Sequence, residues 1–299
     1  MTAPTTINTS SSSSADWADV VDLDRYPIHN LGSAAGQELI GRCRAELAEH
    51  GLCSLAGFIR SAAVAEMIAL ADRLAGHAWP SDQRHTVYFE PADDTVPAGH
   101  PRAHAIRSAK HGIAYDYIPA GAPLRRLYES GEMTRFIAAA LGKNVLYRSA
   151  DPLDALQMTT FSAGEELGWH FDRSEFSVTV MYQQPEAGGE FVYAPGLRSS
   201  TDPNYAGVQR VLQGDTAQIK VLPSTPGTLA FFHGHNALHR VLPIEGARNR
   251  INSVLTYGEV PDMKLNDLTS QLFYGRTSRV ERVDAGRLAR RRGPRPTGS

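Results

Sequence analysis

Hydrophobic residues follow two different spacings along the chain. Around residues 33–51 and 61–76 they recur every three or four positions, as on one face of an α-helix, and Ser33 and Gly51 fit a helix start and stop. From residue 156 onward the pattern changes to seven short segments rich in β-branched and aromatic residues, separated by Gly and Pro. We therefore predict an α+β, mainly β protein whose core is a double-stranded β-helix, or jelly roll, with N-terminal helices packed outside it.

Two stretches interrupt these patterns. Residues 77–119 scatter Pro, Gly, His and Arg without a clear period, and residues 196–215 look like an insertion between strands. Long irregular segments inside a domain are usually functional or flexible, so we expect both to contribute to substrate recognition. The predicted organisation is a disordered tail (1–20), a single domain (21–280) with a helical part (about 33–142) and a jelly-roll core (about 143–260), and a basic disordered tail (285–299).

Composition narrows the class of protein. The 299 residues are 42% hydrophobic and 21% charged with a net charge of −2, an ordinary globular profile that gives no reason to expect a nucleic-acid or anionic-membrane partner. No apolar run approaches the roughly 18 residues of a membrane span. The two cysteines form neither a zinc motif nor a disulfide framework, and no secretory signal is visible. We therefore expect a cytoplasmic protein; the oligomeric state stays open.

A candidate metal site begins at His170-x-Asp172. On a strand, residues two apart share a face, so the two side chains could hold a metal or simply hydrogen-bond each other. A third ligand is expected from a later strand, and "FFHGHNALHR" offers His233, His235 and His239. His239 opens an apolar strand, whereas the other two flank Gly234 in what reads as a turn. Two histidines and a carboxylate are typical of mononuclear non-haem Fe(II) oxygenases.

The pattern His170-x-Asp172, His239 and, eleven residues later, Arg250 resembles the Fe(II)/2-oxoglutarate-dependent dioxygenase superfamily. The resemblance implies that His170, Asp172 and His239 are the iron ligands and catalytic centre, and that Fe(II), 2-oxoglutarate and O2 are required. It also implies that Arg250 pairs with the far carboxylate of 2-oxoglutarate, as suits a guanidinium. Arg248 lies two residues away on the same face and is the alternative.

A closer resemblance is carried by four motifs. They are "GWHFDRSEFSVTVMYQQPEAGGEFVYAPGLR", "DPNYAGVQRVLQGD", "PGTLAFFHGHNALHRVLPIEGARNRINSVLTYGE" and "LFYGR". Together they are similar to the bacterial family of free-lysine halogenases and their hydroxylase relatives. Halogenases of that family carry Gly or Ala where this chain has Asp172, which leaves a coordination position for chloride. The carboxylate therefore favours hydroxylation of an unactivated C–H in a small polar substrate, a free amino acid or a derivative, with release of succinate and CO2.

Further residues are candidates for binding the cosubstrate or substrate. Gln157 or Thr159 on a predicted strand could hydrogen-bond 2-oxoglutarate, although both could equally face outward. The candidates for substrate contacts are polar residues of the irregular segment and residues just beyond the iron motif, and each could instead be a solvated surface group: Arg102, His104, Arg107, His111, Arg173 and Glu175.

Two other functions fit the same residues. A tailoring oxygenase that desaturates, epoxidises or cyclises a biosynthetic intermediate would share every iron ligand. A cupin-like metal-binding protein without enzymatic activity would share the sandwich, but it would have no need of an arginine such as Arg250.

Overall fold

The computed structural model describes residues 16–279 of the chain. The first predicted helix is confirmed: the hydroxyl of Ser33 accepts a hydrogen bond from the amide of Gly36, and the helix ends at Gly51 in the left-handed conformation (φ 70°). The helices longer than one turn are α1 (Ala34–His50), α2 (Ser61–Leu74), α3 (Pro123–Glu129), α4 (Gly131–Ala140), α5 (Tyr205–Leu212) and α6 (Asp267–Tyr274).

The strands begin within the helical part and continue to residue 258. They are β1 (Leu52–Leu55), β2 (Trp79–His85), β3 (Ile106–Ile113), β4 (Tyr147–Arg148), β5 (Leu156–Phe161), β6 (Glu166–His170), β7 (Ser177–Gln183), β8 (Ala187–Gly188), β9 (Phe191–Ala194), β10 (Lys220–Leu222), β11 (Leu229–Phe232), β12 (Leu238–Val241), β13 (Ile244–Glu245), β14 (Arg250–Leu255) and β15 (Tyr257–Gly258). Eleven of these form one antiparallel sheet in the order β1-β11-β7-β14-β5-β3-β6-β12-β9-β10, with β2 on β3. The sheet curls into the predicted jelly roll.

The two faces of the sheet differ in chemistry. One face packs against α1 to α4 and forms the largest apolar cluster, to which β5 and β14 contribute Leu156, Met158, Ile251 and Leu255. Because side chains alternate along a strand, the residues between these point to the barrel interior. There Arg250 lies opposite Phe161, and Asn252 lies opposite Thr159. The interior of the barrel therefore carries polar groups, and the helices cover its apolar outside.

The segment 77–119, which we predicted to be irregular, contains two paired strands. β2 and β3 pair along seven residues, from Trp79 opposite Gly112 to His85 opposite Ile106, and β3 joins both β5 and β6. Their sequences, "WPSDQRH" and "IRSAKHGI", lack apolar alternation. They are strands because pairing within the sheet satisfies their backbone groups. The part predicted to be helical therefore contributes three strands, with β1, to the sheet.

Part of the predicted N-terminal tail is ordered in the structure. Trp17 and Val20, in the last part of the predicted N-terminal tail, are buried in the main core, so the ordered domain begins before residue 20. The rest of that tail and the predicted basic tail 285–299 lie outside the described residues. Within residues 16–279, no helix combines the length and apolar character that crossing a bilayer requires.

Candidate metal centre

A bulge in β6 turns His170 into the barrel. β6 and β12 pair at His170 opposite His239 and at Leu167 opposite Val241, so four residues of β6 lie opposite three of β12. Leu167 and His170 are three positions apart, so a regular strand would place them on opposite faces. The extra residue in the bulge brings both side chains to the interior. Gly168 lies in the bulge, where a Cβ would come within 2.4 Å of the Arg107 carbonyl oxygen. The bulge therefore requires glycine.

The two histidines are oriented in the same way. The Nδ1 of His170 lies 2.8 Å from the carbonyl oxygen of Gly168, and the Nδ1 of His239 lies 2.8 Å from that of Ala237. Because a carbonyl only accepts, each Nδ1 carries the proton and each Nε2 keeps a free lone pair. The ring centroids are 4.1 Å apart and both side chains are buried. Two imidazole lone pairs therefore converge inside the barrel.

Asp172 completes the cluster from the loop after β6. Its Oδ1 lies 3.5 Å from the Nε2 of His170 and 3.5 Å from the Nε2 of His239. Its Oδ2 accepts a hydrogen bond of 2.6 Å from the hydroxyl of Ser177, and its amide donates to the carbonyl of Gly234. A Cβ at Gly234 would lie 2.0 Å from Oδ2, so glycine is required where the loop approaches the carboxylate. The carboxylate is fixed in position by groups outside the cluster.

The cluster is electrostatically suited to a divalent cation. Burial, together with the neighbouring His239, lowers the pKa of His170 to about 4, so this imidazole is neutral at physiological pH. Burial would raise the pKa of Asp172, but His239 and His170 outweigh it and hold that pKa well below its ordinary value. Two imidazole nitrogens and one carboxylate form the donor set that accepts Fe(II) with positions left for other ligands. Within residues 16–279, these three are the side chains close enough to hold a metal, with ligand atoms within 4.8 Å of one another.

The two arginines near this centre lie on different sides of the sheet. Arg250 is buried in the interior, where its Nε donates to the carbonyl of Gly189 and its Nη1 donates to Asn252, and its guanidinium lies 5.5 Å from the centroid of the Phe161 ring. Among the described residues, no carboxylate lies within 4 Å of it, and burial lowers its pKa to about 10. Arg248 is exposed and donates to the carbonyls of residues 184 and 185. The interior position therefore belongs to Arg250.

Gln157 and Thr159 are both buried and lie on the interior face of β5. The amide of Gln157 donates to Asp154, at 3.1 Å. The hydroxyl of Thr159 makes only a 3.5 Å contact with Gln157 and lies beside Asn252, the neighbour of Arg250. The side chains of Gln157 and Thr159 therefore point into the barrel and not outward.

Most of the residues proposed for substrate contacts are engaged at the surface. Arg102 pairs with Asp93 and Arg107 pairs with Asp82, at 3.2 and 3.0 Å. The remaining candidates lie as follows: His111 beside Glu165 at 3.1 Å, His104 exposed, Arg173 donating to the carbonyl of Phe89, and Glu175 paired with Lys143. Arg173 and Glu175 follow Asp172 in the loop between β6 and β7. The substrate role of these six residues stays a prediction.

The other two histidines of the late motif lie outside the cluster. The Nδ1 of His235 lies 3.2 Å from the carbonyl oxygen of Asp172, and His233 lies in the turn after β11. Arg198, which sequence reasoning did not single out, donates to the carbonyl of His235 and lies 4.1 Å from the centroid of the Phe171 ring. These groups support the loop that carries Asp172.

Sequence reasoning also missed a buried network behind His170. The amide of Gly168 donates to the hydroxyl of Ser108, which donates to the Nε2 of His85, and the Nδ1 of His85 donates to the carbonyl of Thr86. Burial lowers the pKa of His85, as expected for a neutral ring. The Gly168 peptide is thus held at its amide by Ser108 and at its carbonyl by His170. Only the histidine in "DQRHTVYF" could have suggested this network.

Phe89 covers one side of the cluster. Its ring lies 4.8 Å from that of His170 and 4.4 Å from that of His85, and its backbone adopts the left-handed conformation (φ 56°). A non-glycine residue in this conformation is strained by about 1–3 kcal/mol, and such strain concentrates at functional sites. An aromatic wall therefore shields the cluster from water on that side.

Comparison with known proteins places the chain in a family. The family model described as Halogenase D matches residues 36–272. Among solved structures, the epimerase SnoN from nogalamycin biosynthesis is similar, with a TM-score of 0.50 and 15% identity over 74% of this chain and 83% of that one. An oxidoreductase of the 2OG-Fe(II) oxygenase family from Burkholderia pseudomallei has 20% identity over 73% of this chain and 90% of that one, with a TM-score of 0.45. No curated protein matches the chain significantly.

Fold and site together define a 2-oxoglutarate- and Fe(II)-dependent oxygenase. The protein belongs to the Halogenase D family, since the match spans most of the chain. The superfamily and the jelly roll anticipated from the sequence are thereby confirmed.

Proposed function

We propose that this protein is a hydroxylase that uses Fe(II), 2-oxoglutarate and O2 to oxidise an unactivated C–H bond of a small polar substrate, a free amino acid or a close derivative. The observation that carries the proposal is the carboxylate of Asp172, which faces both imidazoles at 3.5 Å and is fixed by Ser177. In a family that includes halogenases, this carboxylate occupies the position that chloride needs. The reaction is then completed by transfer of oxygen.

The metal would be held by His170, Asp172 and His239. When bound, Fe(II) supplies the activation of O2 that is coupled to conversion of 2-oxoglutarate into succinate and CO2. The protein orients the ligands: the carbonyls of Gly168 and Ala237 keep the protons on Nδ1, so both Nε2 atoms are available. Such partners of ligand imidazoles tune metal affinity.

Arg250 would bind the far carboxylate of 2-oxoglutarate. It is a buried cation that, among residues 16–279, has no carboxylate partner, and a buried charge without a counter-ion is unfavourable. The cosubstrate would supply the missing charge, and the planar guanidinium suits a carboxylate. Thr159 is better placed than Gln157 to add a hydrogen bond, because the amide of Gln157 already donates to Asp154. Arg248 is directed away from this position.

Phe89 and the buried His85 would exclude water from the reacting side of the cluster. A dry site favours hydrogen abstraction from the substrate over side reactions with solvent. This role requires only that the aromatic ring stay against His170.

Succinate release with Fe(II), 2-oxoglutarate and a panel of free amino acids, followed by product mass, tests the proposal. We expect at least one amino acid to stimulate succinate formation and to gain one oxygen atom. A product that has lost two hydrogens would instead identify a desaturating or cyclising enzyme. Asp172→Gly with added chloride provides the complementary test, since a chlorinated product would show that the carboxylate selects hydroxylation.

A further inference from the structure

Lys110 projects from β3 into the barrel. Ser108, Lys110 and Gly112 alternate along one face of β3, and Gly112 pairs with Thr159 on the interior face of β5. Ser108 contacts Gly168 behind the metal cluster. Because serine and glycine are short, Lys110 is the long side chain of this face.

The ammonium group of Lys110 has no ion-pair partner. In the described part of the chain, no carboxylate lies within 4 Å of its Nζ and no hydrogen bond is made by it. The Nζ lies 5.1 Å from the centroid of the Phe273 ring on α6, so the ammonium contacts an aromatic face and not a carboxylate. Burial lowers the pKa of Lys110, while the charges of Asp154 and Asp172 act to raise it. Lys110 is thus close enough to Asp172, in the metal cluster, and to Asp154 for both carboxylates to act on it electrostatically.

Asp154 does not serve as the missing partner. Its Oδ1 accepts hydrogen bonds from the hydroxyl of Tyr274 at 2.5 Å and from the amide of Gln157 at 3.1 Å. Burial raises its pKa to about 6 although Lys110 acts to lower it, and the two groups form no ion pair within 4 Å. Asp154 therefore acts on Lys110 from a distance, and no described carboxylate contacts the ammonium group.

Three of the basic residues that sequence reasoning selected in this region have carboxylate neighbours. Arg107 on β3 pairs with Asp82, Arg102 pairs with Asp93, and His111 lies against Glu165. Arg107 and His111 alternate with Lys110 along β3 and therefore lie on its opposite face. Lys110 is the cation of β3 that remains available to a bound molecule.

We propose that Lys110 binds a carboxylate of the substrate, so that the enzyme acts on a small carboxylic acid held between α6 and the metal cluster. The inference rests on the proposed function and deepens it. The barrel then has two separate carboxylate sites, Arg250 for 2-oxoglutarate and Lys110 for the substrate. The single ammonium group of Lys110 can pair with one carboxylate, and an amino acid carries an α-carboxylate.

Binding measurements separate these two sites. Wild type, Lys110→Met, Lys110→Arg and the control Lys264→Met, which removes an exposed lysine, are loaded anaerobically with Fe(II) and 2-oxoglutarate. Each is titrated by calorimetry with the twenty free L-amino acids and their carboxamides, while the visible charge-transfer band reports 2-oxoglutarate. We expect at least one acid to bind wild type and its amide to bind about 10- to 100-fold more weakly, the loss typical of a charge-assisted hydrogen bond.

Lys110→Met should lose this preference for the acid with 2-oxoglutarate affinity unchanged, and Lys110→Arg should retain part of it. Three results would overturn the inference. They are an unchanged acid preference in Lys110→Met, a loss of 2-oxoglutarate affinity in that variant, and binding of none of the acids to wild type while the band is intact. The last result would leave the proposed iron and 2-oxoglutarate chemistry standing, whereas absence of the band in wild type would overturn both.

Discussion

The two faces of β14 perform different tasks with alternating residues of one sequence. Arg250 and Asn252 point into the barrel, where they form a polar site. Ile251 and Leu255 point the other way and pack with the helices in the main apolar core. The backbone hydrogen bonds are shared, so what differs is only the environment of each side chain. Residues one position apart are therefore expected to fail in different ways when they are replaced.

Burial has opposite consequences on the two faces. On the helix side it removes apolar surface from water and stabilises the fold. In the interior it places an arginine, two histidines and a lysine in a region where a charge or polar group lacking a partner is unfavourable. Such groups are retained where a ligand supplies the partner. The comparison predicts that interior variants lose ligand binding and helix-side variants lose stability.

The largest effect is expected for a proposed metal ligand. His239→Ala removes one of three ligand atoms, so turnover should fall by more than about three orders of magnitude while the protein stays folded. His235→Ala is the matched control, because the ring of His235 contacts the carbonyl of Asp172 and Arg198 and lies outside the cluster. Bound iron and succinate formation are measured for both. Loss of iron in His235→Ala alone would show that the ligand assignment is wrong.

The helix-side face is tested by Ile251→Ala. Ile251 lies between Arg250 and Asn252 in the sequence, but its side chain is buried against the helices. Its truncation should therefore lower the free energy of unfolding by about 2–5 kcal/mol. The affinity for 2-oxoglutarate at a temperature where the variant is folded should change little. Denaturant unfolding and a charge-transfer titration measure the two quantities. A large loss of 2-oxoglutarate affinity in the folded Ile251→Ala variant would contradict the division between the two faces.

Arg250→Gln is the interior counterpart. Loss of a charge-assisted pair should weaken 2-oxoglutarate binding by about 10- to 100-fold. The unfolding free energy should fall little or rise, because a buried charge has been removed. Arg248→Gln, which alters an exposed group bonded to loop carbonyls, should leave binding unchanged. If Arg248→Gln weakened binding instead, the two assignments should be exchanged.

The smallest effect is expected behind the cluster. Ser108→Ala removes the hydroxyl that accepts from the amide of Gly168 and donates to His85. The bulge that orients His170 should loosen, with a loss of about tenfold in metal affinity. A Co(II) titration followed by its visible spectrum measures this, and Ser108→Thr should restore part of it. Unchanged affinity in Ser108→Ala would mean that the bulge is held by the backbone alone.

The cluster of His170, Asp172 and His239 could be predicted because short sequence patterns identify each of its residues. His170 and Asp172 are two residues apart, and His239 begins a strand whose apolar pattern is clear. The spacing alone did not reveal the bulge at Gly168 or the approach of Gly234 to Asp172, since both depend on how separate strands meet. The ligand types were visible, and their positioning was not.

The strands β2 and β3 could not be predicted, and with them Lys110 and His85. Their sequences show no regular alternation of apolar and polar residues, and α6 covers part of their face. Periodicity detects burial against apolar neighbours, whereas these strands border a polar cavity. The residues that sequence reasoning selected there, Arg102 and Arg107, are surface cations with carboxylate partners.

The central claim is that the cluster of His170, Asp172 and His239 and the cation Arg250 together bind iron and 2-oxoglutarate. The most direct measurement is an anaerobic titration of the apoprotein with Fe(II) and then 2-oxoglutarate, followed by visible absorbance. We predict a weak charge-transfer band that saturates at one 2-oxoglutarate per chain, is absent in His239→Ala and needs more 2-oxoglutarate in Arg250→Gln. Iron binding without such a band in the wild-type protein would contradict the account.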